Sequence, residues 1–143
     1  MNVLEISRKL YEHYESLEEV MNYYGLLAIY ALVQTAEEAK DEGLLEKCKK
    51  ILNRFPDEID HPRYNFLSYK IGGIAKAYAF MKGYMPEAER QVRDFADELM
   101  TAARDKKGIV CNPYYPEREL IWIDSVMAVT PYLLFAGLGL NED

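Results

Sequence analysis

The segment from residue 120 to residue 140 constrains the fold more than any other part of this chain. It reads LIWIDSVMAVTPYLLFAGLGL and carries a single charged residue, Asp124. A helix that is apolar around its whole circumference is typically buried on all sides. Burial raises the pKa of a carboxyl group, and a carboxyl group that keeps its proton near neutral pH can act as a general acid. The segment therefore predicts a buried helix, with Asp124 as a candidate catalytic residue.

Two other interpretations of this segment stay open. Asp124 could cap the helix or accept backbone hydrogen bonds, as buried polar groups commonly do. The segment also reaches the roughly 20 residues that a membrane span requires. Asp124, Pro131, Gly137 and Gly139 argue against a span, and no basic cluster follows the segment to anchor a cytoplasmic end. We therefore expect a core helix and no membrane partner.

The composition indicates one globular domain with a hydrophobic core. The chain has 143 residues, of which 50% are hydrophobic and 29% are charged. Its first residues, MNVLEISRKLYEHYESLEE, lack the basic start and apolar stretch of a secretory signal, so we expect a cytoplasmic protein or one whose signal has been removed. Cys48 and Cys111 have no ligand spacing and are most simply free, buried thiols, although a single disulfide stays open.

The net charge argues against nucleic acid as a partner. It is −7, with 17 Lys and Arg scattered among 24 acidic residues, whereas phosphate binding needs a basic stripe. A local Arg or Lys in a cleft could still bind a small anionic ligand. No glycine-rich phosphate loop, His-rich metal spacing or nucleophile elbow is present in the sequence, so no metal and no organic cofactor is implied.

Helical periodicity runs through the whole chain and predicts an all-α fold. No segment shows the alternation and β-branched clustering that are typical of strands. Short loops between consecutive helices predict antiparallel hairpins. The predicted helices cover residues 3–15, 18–40, 44–54, 64–82, 86–104 and 118–136.

Two features interrupt this pattern. Gly72 and Gly73 fall inside the predicted helix 64–82, which suggests a close approach to another backbone, to a packed helix or to a ligand. The loop from Asp105 to Glu117 is longer than a helical hairpin needs. Tyr114 and Tyr115 in this loop could form an aromatic rim that stacks on sugars, or the loop could simply cover the core.

Three stretches follow one another in an order known from one enzyme family. Gly73 precedes IAKAYAFMKGY, an amphipathic helix PEAERQVRDFADELM follows, and a loop then leads into IWIDSVMAVTPYLL with Trp122, Asp124 and Pro131. This order resembles the six-hairpin glycosidases, in particular the unsaturated glucuronyl and rhamnogalacturonyl hydrolases of glycoside hydrolase families 88 and 105. The resemblance extends from Asn65 to Leu140 and covers the earlier residues only as generic helical hairpins.

The resemblance implies an α/α toroid and a glycosidase activity. Asp124 takes the place of the family's catalytic acid/base, which protonates the C4=C5 double bond of an unsaturated uronic acid and guides water to the neighbouring carbon. This hydration differs from the usual glycoside hydrolysis by two carboxylates. The substrate would be a small oligosaccharide, with Trp122, Tyr114 and Tyr115 as candidate sugar contacts. Burial of Asp124 among Trp122, Ile123 and Val126 would raise its pKa.

The chain departs from the family in two ways. A second aspartate of the family is replaced by Ser68, which can donate a hydrogen bond but carries no charge, and Asn65 stands three residues earlier. We take both as candidate substrate-binding residues. The family's toroid also has twelve helices, so about six helices would form part of an (α/α)6 toroid with an apolar open edge.

The open edge of such a partial toroid is compatible with several interpretations of the chain. The chain could be the N-terminal part of a longer enzyme, which we favour, or a homo-oligomer could form through the edge. A small closed bundle could instead act as a non-catalytic module that binds a protein or a saccharide, or the chain could be an inactive glycosidase remnant. Lys70, Lys76 and Arg118 could each meet a uronate carboxylate, although an ordinary surface charge is the simpler expectation for each of them.

Overall fold

The computed structural model describes residues 2–17, 22–59, 61–63, 67–111 and 123–141, without the side chains of Leu17 and of residues 123–125. Within these ranges the chain is helical and contains no strand, which confirms the all-α prediction. The α-helices are α1 (Val3–Leu17), α2 (Tyr23–Ala39), α3 (Glu42–Leu52), α4 (Gly73–Met81), α5 (Glu89–Thr101) and α6 (Ile123–Leu140). Single 3-10 turns, Lys70–Gly72 and Pro86–Ala88, precede α4 and α5.

Side-chain caps fix where the first helices begin. The Asn22 side chain accepts a hydrogen bond from the Gly25 amide at 2.8 Å and starts α2. Asp41 accepts one from the Leu44 amide at 3.0 Å and starts α3. Each cap of this kind typically stabilises a helix by about 1 kcal/mol. Lys40, in the left-handed conformation, ends α2, so only two residues join α2 to α3.

The helices pack around α2 and α4. Helix α2 contacts α1, α3 and α4, while α4 contacts α5 and α6. The core between α5 and α6 is aromatic, because the buried Tyr132 ring lies edge-on to Phe95 with centroids 4.7 Å apart. The Tyr132 hydroxyl donates to the carbonyl of Val92 at 3.0 Å, which satisfies its one polar atom. Cys48 and Cys111 are both buried and are not joined by a disulfide.

The predicted helix 64–82 is wrong over its first part. Residues 64–66 lie outside the described ranges, residues 67–69 form a turn, and α4 begins only at Gly73. Ile71, Gly72 and Gly73 have φ angles of +49°, +95° and +45°, which a continuous right-handed helix does not allow. The sequence pattern missed this break because the apolar periodicity continues through it.

Helix α6 is not buried on all sides, contrary to the sequence-based prediction. Its inner face packs on α4 and α5, and Ala128, Val129, Tyr132 and Ala136 are buried there. Val126, which we expected to help bury Asp124, is 40% exposed. Among the described residues α6 packs mainly on α4 and α5 and keeps an exposed face, so an apolar composition alone did not decide its burial. No helix in the described part of the chain is long and apolar enough to cross a membrane.

Candidate functional site

The turn before α4 is strained and tightly folded. Ile71 is β-branched and has a positive φ, a conformation that costs about 1–3 kcal/mol and persists only where its surroundings hold it. A Cβ atom on Gly73 would lie 2.5 Å from the carbonyl oxygen of Ser68, so the backbone confirms the close approach predicted for this glycine. Strained backbone positions of this kind cluster at functional sites.

Contacts with α5 hold the strained turn in place. The ammonium group of Lys70 donates to Glu98 Oε1 at 2.5 Å and lies 5.8 Å from the centre of the Phe95 ring. Lys70 and Ile71 are both buried. The turn is therefore fixed from both sides, by an ion pair and by apolar packing.

Ser68 lies at the start of this turn with a buried hydroxyl. Its Oγ atom has no hydrogen-bond partner among the described residues, which is uncommon for a buried polar atom. Ser68 lines a small cleft between α2, α4 and the first turns of α6. The other residues of this cleft are Tyr23, Leu26, Leu27, Ile74, Met127 and Ala128. The space in this cleft is only about 10 Å³, which is room for about one water molecule that the hydroxyl can bind.

A larger cleft, which we call the tyrosine cleft, adjoins the first. It is lined by Tyr14, Asn22, Tyr23, Tyr24 and Tyr69 and encloses about 450 Å³. Tyr24 is 71% exposed, and its ring lies edge-on to that of Tyr23 with centroids 5.3 Å apart. An exposed ring of this kind combines an apolar face with a hydroxyl group.

The wall of the tyrosine cleft is ordered by hydrogen bonds. Asn22 Oδ1 accepts from the Gly25 amide and, at 3.2 Å, from the hydroxyl of Tyr14. The same side chain thus caps α2 and ties α1 to it. Tyr23 lines both clefts, and Tyr69 directly follows Ser68, so the two clefts are neighbours with Tyr23 between them.

The predicted site residues are described only in part. Ser68 lies at the small cleft. Asp124 is the second residue of α6, and its side chain lies outside the described part of the chain. Asn65, Tyr114, Tyr115 and Trp122 all lie outside the described residues.

Sequence analysis missed Tyr23 and Tyr24. Neighbouring helical positions point about 100° apart. Two adjacent large aromatic residues at the start of α2 therefore cannot both face the core, and this signal was available in the sequence.

Two of the three basic residues considered for a uronate carboxylate are buried, so the expectation of ordinary surface charges is wrong for them. Lys70 pairs with Glu98, as described above. Lys76 is only 1% exposed and donates to Gln91 Oε1 at 2.8 Å. Arg118 lies outside the described residues. Lys76 stands within the apolar run of α4, which fills the space between α2 and α6 and carries the lysine into the core.

Burial lowers the pKa of Lys76 to about 8, while Asp57 and Glu87 act in the opposite direction. An unfolded lysine titrates near 10.4, so carrying the ammonium group into the fold costs about 3 kcal/mol below pH 8. We expect Lys76→Met to raise the free energy of unfolding at pH 7 by about 2 kcal/mol, since the lost hydrogen bond to Gln91 offsets about 1 kcal/mol.

The pH dependence gives this prediction a clear sign. Between pH 8 and pH 10 the unfolded chain binds more protons than the folded one, so the wild type gains stability there and the advantage of Lys76→Met shrinks. Urea unfolding of both proteins at pH 7 and pH 10 measures the difference. Lys9→Met, at an exposed lysine, is the control and should show no such trend. A less stable Lys76→Met at pH 7 would contradict the prediction.

Comparison with known proteins adds no assignment to this geometry. No family model, curated protein or solved structure matches the chain. The resemblance to the six-hairpin glycosidases therefore stays a prediction made from the sequence.

Proposed function

We propose that the chain acts as a glycoside hydrolase on unsaturated uronic-acid oligosaccharides, with Asp124 as the acid/base. In this proposal the six α-helices form part of an (α/α)6 toroid. The observation that carries the proposal is the tyrosine cleft, because sugars are bound by exposed aromatic faces together with nearby hydroxyl and amide groups.

The adjacency of the two clefts supports the choice of Asp124. Met127 lines the small cleft beside Ser68, and Asp124 precedes Met127 by three residues in α6. A sugar held in the tyrosine cleft would therefore lie beside Tyr23, near the first turn of α6 to which we assign the acid.

The proposed reaction is hydration of a vinyl ether. The carboxyl group of Asp124 donates its proton to C4 of the C4=C5 double bond, and a water molecule adds through its oxygen to C5. The proton that this water gives up returns to Asp124. The resulting hemiketal opens the ring and releases the next sugar. Ser68, which cannot carry a charge, would donate its unpartnered hydroxyl to a water molecule, since the small cleft beside it has room for about one.

The assay is the loss of ultraviolet absorbance of an unsaturated uronyl disaccharide, since hydration removes the double bond. We expect Tyr24→Ala to raise KM about tenfold, because an exposed aromatic platform contributes about 1 kcal/mol or more to binding. Tyr24→Phe keeps the ring and should stay within about threefold of the wild type. Absence of any consumption by the wild type would refute the proposed function.

A second candidate function is a saccharide-binding module without catalysis. Its specific support is Ser68, which stands where the resemblance implies a second acid. Calorimetric titration with the same disaccharide separates the two candidates. Binding that Tyr24→Ala weakens, without loss of absorbance in the wild type, would favour the binding module. Consumption of the disaccharide by the wild type would exclude it.

A further inference from the structure

A second cleft lies between α1 and the first turns of α3 and shares no lining residue with the tyrosine cleft. We call it the α1–α3 cleft. It encloses about 270 Å³, which is below the range of about 300–1,000 Å³ that is typical for drug-sized ligands and suits a smaller molecule. The residues that line it include Arg8, Tyr11, Glu12, Leu32, Leu44 and Lys47.

The charged residues of this cleft are paired unequally. Arg8 pairs through Nη2 with Asp41, the N-cap of α3, and Lys47 of α3 pairs with Glu15 of α1 at 2.6 Å. Both basic residues therefore have an acidic partner. Glu12 is exposed, and its carboxylate has no ion pair or hydrogen bond among the described residues. The cleft thus carries one carboxylate whose charge no neighbouring side chain compensates within the described part of the chain.

Two buried polar atoms of the same cleft residues have no hydrogen-bond partner among the described residues. They are Nε of Arg8 and the hydroxyl of Tyr11, a residue that is only 5% exposed. Burial raises the pKa of Tyr11, so its hydroxyl keeps its proton near neutral pH and can donate. Buried donors without an acceptor are uncommon in folded proteins. A carboxylate is the acceptor that forms the strongest hydrogen bonds with such groups.

The unpartnered groups lie within one turn of α1. Arg8, Tyr11 and Glu12 are three and four positions apart and therefore share one face of the helix. Glu5 and Lys9 have the same four-residue spacing and form an ion pair at 3.3 Å, whereas Arg8 pairs with the N-cap of α3 instead of with Glu12. Donors that lack an acceptor thus lie beside an acid that lacks a cation. A small molecule with a carboxylate next to an ammonium group would satisfy both.

We propose that the α1–α3 cleft binds a free α-amino acid with an apolar side chain. The carboxylate of the amino acid accepts hydrogen bonds from Arg8 Nε and from the hydroxyl of Tyr11, and its ammonium group pairs with Glu12. Its side chain contacts Leu32 and Leu44, which supply the apolar part of the cleft. The first turn of α3 is the positive end of a helix dipole and also favours a carboxylate nearby.

Calorimetric titration with L-leucine and two analogues tests the proposal. 4-Methylpentanoate is leucine without its ammonium group, and 3-methylbutylamine is leucine without its carboxylate. L-Leucine should bind at least about tenfold more tightly than either analogue, because each analogue leaves one side of the site without a partner. If the amine bound as tightly as L-leucine, the cleft would be a cation site at Glu12, and the proposal would be overturned. Equal binding of 4-methylpentanoate, or no binding of L-leucine, would also overturn it.

Two variants test the location of the site. Tyr11→Phe keeps the ring and removes the hydroxyl, which should weaken binding of L-leucine about fivefold. Glu12→Gln removes the uncompensated charge and should weaken binding about tenfold. Glu38→Gln makes the same acid-to-amide change at an exposed position outside the cleft and should bind as the wild type does. Urea unfolding checks that the variants are folded. Wild-type affinity in both Tyr11→Phe and Glu12→Gln would place the amino acid elsewhere and contradict the proposal.

Discussion

Replacing Asp124 by asparagine is expected to lower turnover of an unsaturated uronyl disaccharide by about 10³-fold. A positioned general acid contributes about 10²–10⁴-fold to a rate, and the amide of asparagine is too weak an acid to transfer a proton. The substitution conserves size, so binding through the tyrosine cleft should change little. The expected pattern is thus a fall in kcat with KM nearly unchanged. Kinetics of wild type and variant over a range of substrate concentrations measure both quantities.

The control is Glu38→Gln, which makes the same acid-to-amide change at an exposed position of α2. It should retain the turnover of the wild type. Urea unfolding of Asp124→Asn adds a second check, since a structural role of this carboxyl group would appear as a loss of stability. Full turnover by Asp124→Asn would show that Asp124 is not the general acid, whether or not a saccharide binds in the tyrosine cleft.

Replacing Gly73 by alanine is expected to lower the free energy of unfolding by about 4 kcal/mol. The φ of +45° at Gly73 is strained for any residue with a Cβ atom, at about 1–3 kcal/mol. The added Cβ would also lie 2.5 Å from the Ser68 carbonyl oxygen and 2.6 Å from Leu26 Cδ2. Overpacking of this kind typically costs a further ~1–3 kcal/mol. Urea unfolding followed by circular dichroism measures the loss.

Gly83→Ala separates the two causes. Gly83 also has a positive φ, +74°, but no atom lies within 4 Å of the position that its Cβ would take. It should therefore show only the backbone cost of about 1–2 kcal/mol. If Gly73→Ala lost no more stability than Gly83→Ala, the close approach to Ser68 would not matter for the fold.

Helical periodicity predicted most helices because it acts over a few residues, but the prediction began the second helix at residue 18 and did not use the cap at Asn22. Asn22 and Asp41 satisfy the amides of the helix that follows them, whatever the rest of the chain does. The start of α4 was not predicted, because the break before it depends on the contact between the Ser68 carbonyl and Gly73. The exposed face of α6 was not predicted either, since the burial of a helix depends on which helices surround it. Neither tertiary contact can be derived from periodicity.

The candidate site was predictable only in fragments. Ser68 was named through a family resemblance, whereas its unpartnered hydroxyl became evident only from the packing of α2, α4 and α6 around it. Tyr14, Tyr24 and Tyr69 come from three separate segments, so no local pattern brings them together. The burial of Lys76 could not be predicted from a local pattern either, because it results from the packing of other helices on more than one side of α4.

The side chain of Asn22 has two structural roles that a substitution cannot change separately. One oxygen of its side chain begins α2 and also holds the hydroxyl of Tyr14 at the wall of the tyrosine cleft. A change at this position would reshape the cleft and loosen the helix in the same step. If the cleft binds a saccharide as proposed, a shift in ligand preference would arise more readily in evolution at Tyr24, whose exposed ring makes no side-chain hydrogen bond among the described residues. Selection for stability would meanwhile keep Asn22 fixed, so descendants with different ligands would share this asparagine.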